Sequence, residues 1–244
     1  MKVIAMIPGR YAATRFPFKL MQPLGDKTVI RHTYDNTVAT GIFDDVWVVT
    51  DHPGIFEEIT RHGGKAIMSR KEHESGSDRI AEAVENMDAD IIVNVQGDEP
   101  FVHGPTLKNL VDSFKDDSVQ VASIMKIFTD QSLVNNPNYV KVAVDLRMNS
   151  LFFSRSPLPY HRNKEIAVNY YEHIGVYAFR KDILLSFTSW PVTPLEDAEK
   201  IECLRYLEHG IPLRMVLTEH AGVKIDVPED LPRAEAYLPQ YRVS

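Results

Sequence analysis

The sequence predicts an α/β fold: a Rossmann-like, three-layer arrangement with helices on both faces of a mostly parallel sheet. Three observations carry this reading. Apolar runs of strand length alternate with segments of helical period through the first half, which is βαβα order. The second and central strands lead into acidic residues, Asp51 and Asp98, as strand ends over a nucleotide site do. The second half then returns to alternating strands, which makes the sheet mixed or marks an inserted subdomain.

Taken in order, Val3–Ile7 is a short buried strand and Thr28–Ala39 a helix. Asp45–Asp51 is the second strand. A helix over Ile55–Arg61 is stopped by Gly63-Gly64, and Lys65–Met68 is a third strand. Ile80, Ala83, Val84 and Met87 recur at helical spacing in Ser77–Met87, with Ser77 as N-cap. Ile91–Val95, β-branched at its apolar positions, is the central strand. Pro105–Phe114 reads as helix and Val119–Ile127 as strand. Beyond it, Tyr139–Asp145 alternates apolar and polar residues, and Leu151–Ser154 is a short strand. Ser156–Tyr160 is turn or extended chain because of its prolines. Ile174–Phe179 and Leu213–Leu217 are strands, Leu195–Leu207 is one helix, and Pro228–Leu238 closes the chain as another.

At 244 residues the chain has room for one large domain or two small ones. Its 44% hydrophobic and 25% charged residues suit a soluble globular enzyme. A net charge of -7, with the charges interspersed, argues against nucleic acid as a partner. No apolar run approaches the roughly 20 residues of a membrane span, and Pro8 and Arg10 interrupt the N-terminal run too early for a signal peptide. The one cysteine, Cys203, allows no intrachain disulfide and suits a reducing compartment. The expectation is a cytoplasmic protein with no membrane partner. Without repeats, low-complexity segments or linkers, residues 1–244 read as one domain.

Four stretches could carry chemistry. After the first strand, Pro8-Gly-Arg-Tyr-Ala-Ala-Thr-Arg-Phe-Pro-Phe-Lys19 sets the cations Arg10, Arg15 and Lys19 among small residues. Small residues let backbone approach a ligand, and closely spaced cations suit a polyphosphate. Gln96-Gly-Asp-Glu-Pro100 lies at the carboxyl end of the central strand, where open sheets bind ligands. There Gly97 permits an unusual dihedral, and Asp98 or Glu99 offers hard oxygen to Mg2+. Ser75-Gly-Ser-Asp-Arg79 opens a helix and could hold a ribose or base, or be a plain cap. Asp226 precedes the last helix, either as a second metal carboxylate or as part of a helix start at Pro228. His173 and Phe153-Ser-Arg155 are further candidates, each with a structural alternative. Glu199, Glu202 and Cys203 fall on the helix predicted over 195–207, where Glu199 and Cys203 share a face at i,i+4. No Gly-x-Gly-x-x-Gly follows the first strand, no Gly-x-Ser-x-Gly occurs, and no Cys or His pair has zinc spacing.

Together these stretches resemble one family over nearly the whole chain. The order is Pro8, Arg10, Thr14-Arg15-x-Pro17-x-Lys19, then Ser75-Gly-Ser-Asp-Arg79, Gln96-Gly-Asp-Glu-Pro100 and Phe153-Ser-Arg155. It continues with His173-Ile-Gly-Val-Tyr177, Pro194-Leu-Glu196, Glu202-Cys-Leu-Arg205 and Asp226-x-Pro-Glu-Asp-Leu231. This is similar to the 3-deoxy-manno-octulosonate cytidylyltransferases, which make CMP-Kdo for Gram-negative lipopolysaccharide assembly. The resemblance implies a nucleotide-diphospho-sugar transferase-like fold, a homodimer, and formation of CMP-Kdo and pyrophosphate from CTP and Kdo with Mg2+. It implies a nucleotide-binding part over about 1–130 and a sugar-binding and dimerisation part over about 131–220. By the same resemblance Pro8, Arg10, Ala12, Ala13, Arg15 and Lys19 hold the triphosphate, with Arg10, Arg15 and Lys19 catalytic. Ser75, Arg79, Gln96 and Asp98 would also meet the nucleotide. Gln96, Arg155, His173, Tyr177 and Glu202 would face the sugar acid, and Asp98 and Asp226 would bind Mg2+.

The chain departs from the family pattern at Gly9 (usually alanine), Phe18 (usually glycine), Leu20-Met21 (usually proline-leucine) and Cys203 (commonly glutamine). Phe18 adds bulk beside Lys19 and disfavours positive φ, and Cys203 removes a two-sided hydrogen-bonding amide. Two alternatives stay open. One is the same transfer to a modified Kdo, such as 8-amino-3,8-dideoxy-manno-octulosonate, or to another 2-keto-3-deoxy sugar acid. The other is a non-catalytic nucleotide-binding homologue, against which Arg10, Arg15, Lys19, Asp98 and Asp226 all survive.

Overall fold

The computed structural model describes residues 1–10, 16–73, 75–220 and 222–241. The chain forms two compact units, residues 1–108 with 221–244, and residues 109–220.

The first unit is built on a parallel sheet. β1 (Val3–Gly9) is its central strand, and Ile4, Met6 and Ile7 are buried there, each worth roughly 1.5–3 kcal/mol relative to exposure. A small antiparallel pair, β2 (Pro23–Leu24) and β3 (Lys27–Thr28), leads into α1 (Val29–Ala39), whose first turn is capped by Thr28 accepting from the Arg31 amide. β4 (Asp45–Thr50), α2 (Pro53–Arg61) and β5 (Ala66–Met68) follow, then α3 (Gly76–Val84) and β6 (Ile91–Asn94). The N-cap of α3 is Ser75, accepting from the Asp78 amide, two residues before the Ser77 expected from sequence. β4 pairs with one side of β1 and β6 with the other, all parallel, and β5 lies outside β4. Strand order therefore reverses at β1. In open α/β sheets ligands bind at the carboxyl edge beside such a reversal. The chain leaves this unit within α4 (Gly104–Asp112).

The second unit carries a mixed sheet, in keeping with the expected class. β7 (Val121–Ile127), β8 (Lys141–Val144), β9 (Ser150–Ser154) and β10 (Tyr171–Arg180) come first. A helix the periodicity did not announce, α5 (Lys181–Phe187), precedes α6 (Pro194–Glu199), α7 (Leu204–Glu208) and β11 (Leu213–Leu217). β7 runs parallel to β11 and antiparallel to β10, while β8 is antiparallel to β10 and β9. The single helix predicted over 195–207 is two helices, because Lys200 takes a left-handed conformation, φ 52 and ψ 48. Glu199 and Cys203 thus do not share a helix face. The two short helices are joined instead by a buried bidentate ion pair: Arg205 Nε and Nη2 each lie 2.6 Å from a Glu196 oxygen. The same guanidinium sits 4.2 Å from the Phe187 ring centroid, and Phe187 stacks on Tyr206 at 4.3 Å. Two of the motifs, around Glu196 and Arg205, are thereby explained by packing. The chain then returns to the first unit and ends in α8 (Asp230–Tyr237).

Candidate active site

The carboxyl edge of β1 and β6 gathers the charged residues of the first unit. Past β6 the backbone turns through Gln96-Gly97-Asp98. Gly97 is needed here for space, not for an unusual dihedral: a Cβ would come within 3.0 Å of the Pro8 carbonyl and of Ile30. Thr33 Oγ1 donates to the Gly97 carbonyl at 2.9 Å, and Leu20 is buried beside the same glycine. Leu20 anchors the short turn Lys19–Met21, and that turn aims Lys19 back at the end of β6. Phe18, just before it, does occupy positive φ (59°), against the sequence expectation. The backbone keeps the left-handed residue a glycine would supply, and the phenyl ring rides on it half-exposed.

Lys19 Nζ donates to Asp98 Oδ2 at 2.5 Å and to Asp226 Oδ1 at 3.3 Å. Asp226 reaches this point because the Ile225 amide donates to the Asp98 carbonyl at 3.0 Å. The turn beyond is held by Asp230, which accepts from the amides of Asp226 and Val227. The segment presents a carboxylate and leads into α8, which begins at Asp230, two residues after the start expected at Pro228. Lys224 Nζ, 4.0 Å from Asp98 Oδ2, is a further cation, at the head of the stretch Lys224–Leu231 but without a role expected from sequence. Its only sequence signal is its place two residues before Asp226. Asp98 Oδ1 is buried and accepts no hydrogen bond among the described residues. An orphaned carboxylate oxygen beside a second carboxylate is a donor set for a hard divalent cation, with substrate phosphate and water completing the shell. Asp98 and Asp226 thus fit Mg2+.

Of the other nucleotide candidates, Pro8 is half-buried at the end of β1 and Arg10 is exposed just past it. Ala12, Ala13 and Arg15 lie outside the described residues. Gln96, half-buried after β6, donates to Asn94 Oδ1 at 3.4 Å. Ser75 spends its hydroxyl on capping α3, and Arg79, buried, donates to Asp51 Oδ2 at 2.7 Å. These two lie at the start of α3 and are not drawn into the Lys19 cluster by any contact among the described residues.

The second unit gathers a different set. In β10 the register against β7 shifts between Ile174 and Tyr177. Ser123 Oγ fills this irregularity, donating to the Val176 carbonyl at 2.8 Å and lying 2.9 Å from His173 Nε2. With the hydroxyl proton on the carbonyl, the tautomer that completes this contact has Nε2–H donating to Oγ and Nδ1 as an acceptor. Ser123 was missed from sequence; Gly175 in mid-strand was the available sign of a bulge. Desolvation pulls the imidazole of His173 down to about 3, so the ring is neutral at physiological pH. Tyr177 lies 5.4 Å from His173 and its hydroxyl donates to Cys203. Burial first, then the neighbouring Cys203 and Glu202, pushes the Tyr177 phenol up, and burial first, then Glu202, pushes the Cys203 thiol up. His173 thus neighbours Tyr177, and Tyr177 neighbours Cys203 and Glu202.

Arg155 is placed otherwise. Its guanidinium donates to the carbonyls of Glu199 (2.6 Å), Pro137 (2.8 Å) and Lys200 (3.1 Å). Its own amide donates to Glu199 Oε2 at 2.9 Å.

The Cytidylyltransferase family model matches residues 4–219. The 3-deoxy-manno-octulosonate cytidylyltransferase of Flavobacterium johnsoniae is 58% identical, covering 98% of this chain and 99% of its own. The Escherichia coli protein of the same name is 36% identical over 98% and 97% of the two chains. Among solved structures, CMP:2-keto-3-deoxy-manno-octonic acid synthetase complexed with CTP superposes with a TM-score of 0.93 at 36% identity, covering 98% of this chain and 99% of that one. A cytidylyltransferase from Leptospira borgpetersenii, TM-score 0.65 at 17% identity, shares the fold.

Proposed function

The chain belongs to the cytidylyltransferase family, and from that premise we propose that it transfers the CMP group of CTP to the anomeric hydroxyl of Kdo, releasing pyrophosphate. The observation that carries this reading is the Lys19 ammonium held between Asp98 and Asp226 at the strand-order reversal. In the reaction a bond forms from the anomeric oxygen to the α-phosphorus. The bond from that phosphorus to the bridging oxygen breaks, its electron pair leaves with pyrophosphate, and the hydroxyl proton is released. Little covalent work falls to the protein, so catalysis rests on placement and charge.

Lys19 neutralises oxygens at the reacting phosphorus, and Arg10 and Arg15 neutralise the departing phosphates. Asp98 and Asp226 would hold Mg2+, which supplies Lewis-acid charge at the phosphates and lowers the pKa of a coordinated hydroxyl. Lys19 and, at 4.0 Å, Lys224 offset the two carboxylates, so a metal would enter there as phosphate draws the lysines away. On the sugar side, neutral His173 accepts a hydroxyl through Nδ1, while Tyr177 and Glu202 offer further polar contacts. Gln96, with its two-sided amide, is assigned to both substrates.

The proposal includes a homodimer, supported by exposed Leu146, Leu151, Tyr160 and Ile166 in the second unit. It also includes a cytoplasmic location and supply of CMP-Kdo to lipopolysaccharide assembly. No helix among the described residues is long and apolar enough to cross a membrane. The test is pyrophosphate release with Mg2+ from CTP, UTP and GTP, each with Kdo and with its 8-amino analogue. Turnover confined to CTP and favouring Kdo is expected. Preference for the analogue would reassign the sugar, and failure with every pair would sink the transferase reading.

A further inference from the structure

Lys141 opens β8, and its side chain is fully buried. Its ammonium donates to the carbonyls of Asn136 (3.2 Å) and Tyr139 (2.7 Å), and to that of Arg155. Arg155 in turn spans the carbonyls of Pro137, Glu199 and Lys200. Glu199 closes the arrangement, accepting from Ser154 Oγ at 2.7 Å and from the Arg155 amide at 2.9 Å. Two cations thus grip three carbonyls each, and one carboxylate ties the end of β9 to the end of α6.

Local costs converge on this spot. A buried ammonium whose direct partners are carbonyls, not a carboxylate, is expensive to desolvate, and an apolar side chain would pack more cheaply. Burial, with the Arg155 charge nearby, lowers the Lys141 pKa. Lys200, whose carbonyl Arg155 holds, is left-handed without being glycine. Strain and buried charge together are expected where a backbone must be held in one position. The backbone held here is the turn from Lys200 that next presents Glu202 and Cys203 to Tyr177.

We propose that Lys141, Arg155 and Glu199 are positioning residues for the sugar acid, a cation–carbonyl clamp that fixes the turn carrying Glu202. This rests on the reading above that Glu202, Tyr177 and His173 face that substrate. It gives Arg155 a different task from the one its motif implies: its guanidinium holds backbone and does not meet the sugar carboxylate.

The test uses the full chain with Lys141→Met and Arg155→Lys, the second keeping charge but unable to span three carbonyls. Urea midpoints, KM for each substrate and the labelling rate of Cys203 by a thiol reagent are measured for each. Cys203 is the chain's one cysteine and is buried in the clamped turn, so labelling reports this site without any substrate. Both variants should raise KM for Kdo on the order of tenfold, with kcat and KM for CTP little changed. Both should also speed Cys203 labelling by about tenfold in the absence of urea, beyond what any fall in the urea midpoint accounts for. Should Lys141→Met not fold, Arg155→Lys carries the same two readouts. Raised KM for Kdo with Cys203 still protected in Arg155→Lys would make Arg155 a direct ligand and overturn the clamp, as would labelling that follows global stability alone. If wild type does not use Kdo, the functional reading fails while the labelling arm still tests the clamp.

Discussion

Lys19 and Lys141 are both largely withdrawn from water, yet their partners are opposite in kind. Lys19 lies against two carboxylates, one of which keeps a buried oxygen without a hydrogen bond among the described residues. Lys141 lies against three backbone carbonyls. Carboxylates keep their charge when a partner leaves, so the pair can exchange an ammonium for a metal and yield the lysine to phosphate. Carbonyls carry no net charge to exchange, so a cation among them is held in place and holds the chain in place. The first arrangement suits chemistry on a changing charge; the second suits a fixed geometry.

The strongest test of that contrast is Lys19→Ala. Turnover should fall by about a thousandfold or more, roughly 4 kcal/mol of transition-state stabilisation, with CTP affinity changed far less. Single-turnover kinetics beside calorimetric CTP titration measures both. An unchanged rate would remove Lys19 from the chemistry and leave it as simple neutralisation of Asp98 and Asp226. Next in size, Asp226→Asn should raise the Mg2+ needed for half-maximal rate by about tenfold. A metal titration that does not move would assign Asp226 to the start of α8 alone.

Much of the first unit was legible because its signals are local. Apolar runs of strand length and helical periods alternate from Val3 to Asn94, and the acidic strand ends point to the edge where the site lies. Asp98 and Asp226 were likewise visible as carboxylates at turns. What escaped depends on contacts distant in sequence. Nothing near Lys200 announces a left-handed residue, because the bonds to its carbonyl come from Arg155, far upstream. Lys141 reads as one polar position in an alternating strand, and only the fold reveals that its stem is enclosed. Ser123 looks like an ordinary strand residue until the bulge opposite brings His173 onto its hydroxyl. Arg155 was recognised by motif, but a motif records that a cation is present and not whether it faces substrate or backbone.

A smaller effect separates the two units by pH. His173 is neutral in the fold and its pKa is drawn down to about 3 by desolvation, whereas an unfolded histidine titrates near ~6.5. Between these values the unfolded chain binds more protons, so stability rises with pH across the window and is lost as pH falls through it. The loss by pH 5 should be about 1–2 kcal/mol, allowing for the ring's partial exposure. Urea midpoints at pH 7 and 5, in wild type and in His173→Gln, isolate it. The same slope in both proteins would show that His173 is not the group responsible.

The smallest predicted effect concerns the backbone that delivers Lys19. Phe18 sits at φ 59 and is 45% exposed. A left-handed non-glycine residue costs roughly 1–2 kcal/mol, while half-burying a phenyl ring returns about 1 kcal/mol. Phe18→Gly removes both and adds freedom to the unfolded chain, so its net change should be close to zero. Phe18→Ala loses the ring but keeps the strain. Glycine at this position should therefore be more stable than alanine by about 1 kcal/mol, the reverse of their order in a helix. Thermal or urea unfolding of the two variants measures the difference directly, and alanine equal to or above glycine would mean that the turn does not hold a left-handed residue. With glycine, turnover should stay within a few-fold of wild type, because Lys19 is aimed by that backbone and by buried Leu20. A larger loss would move Phe18 from the loop's framework to its contacts with substrate.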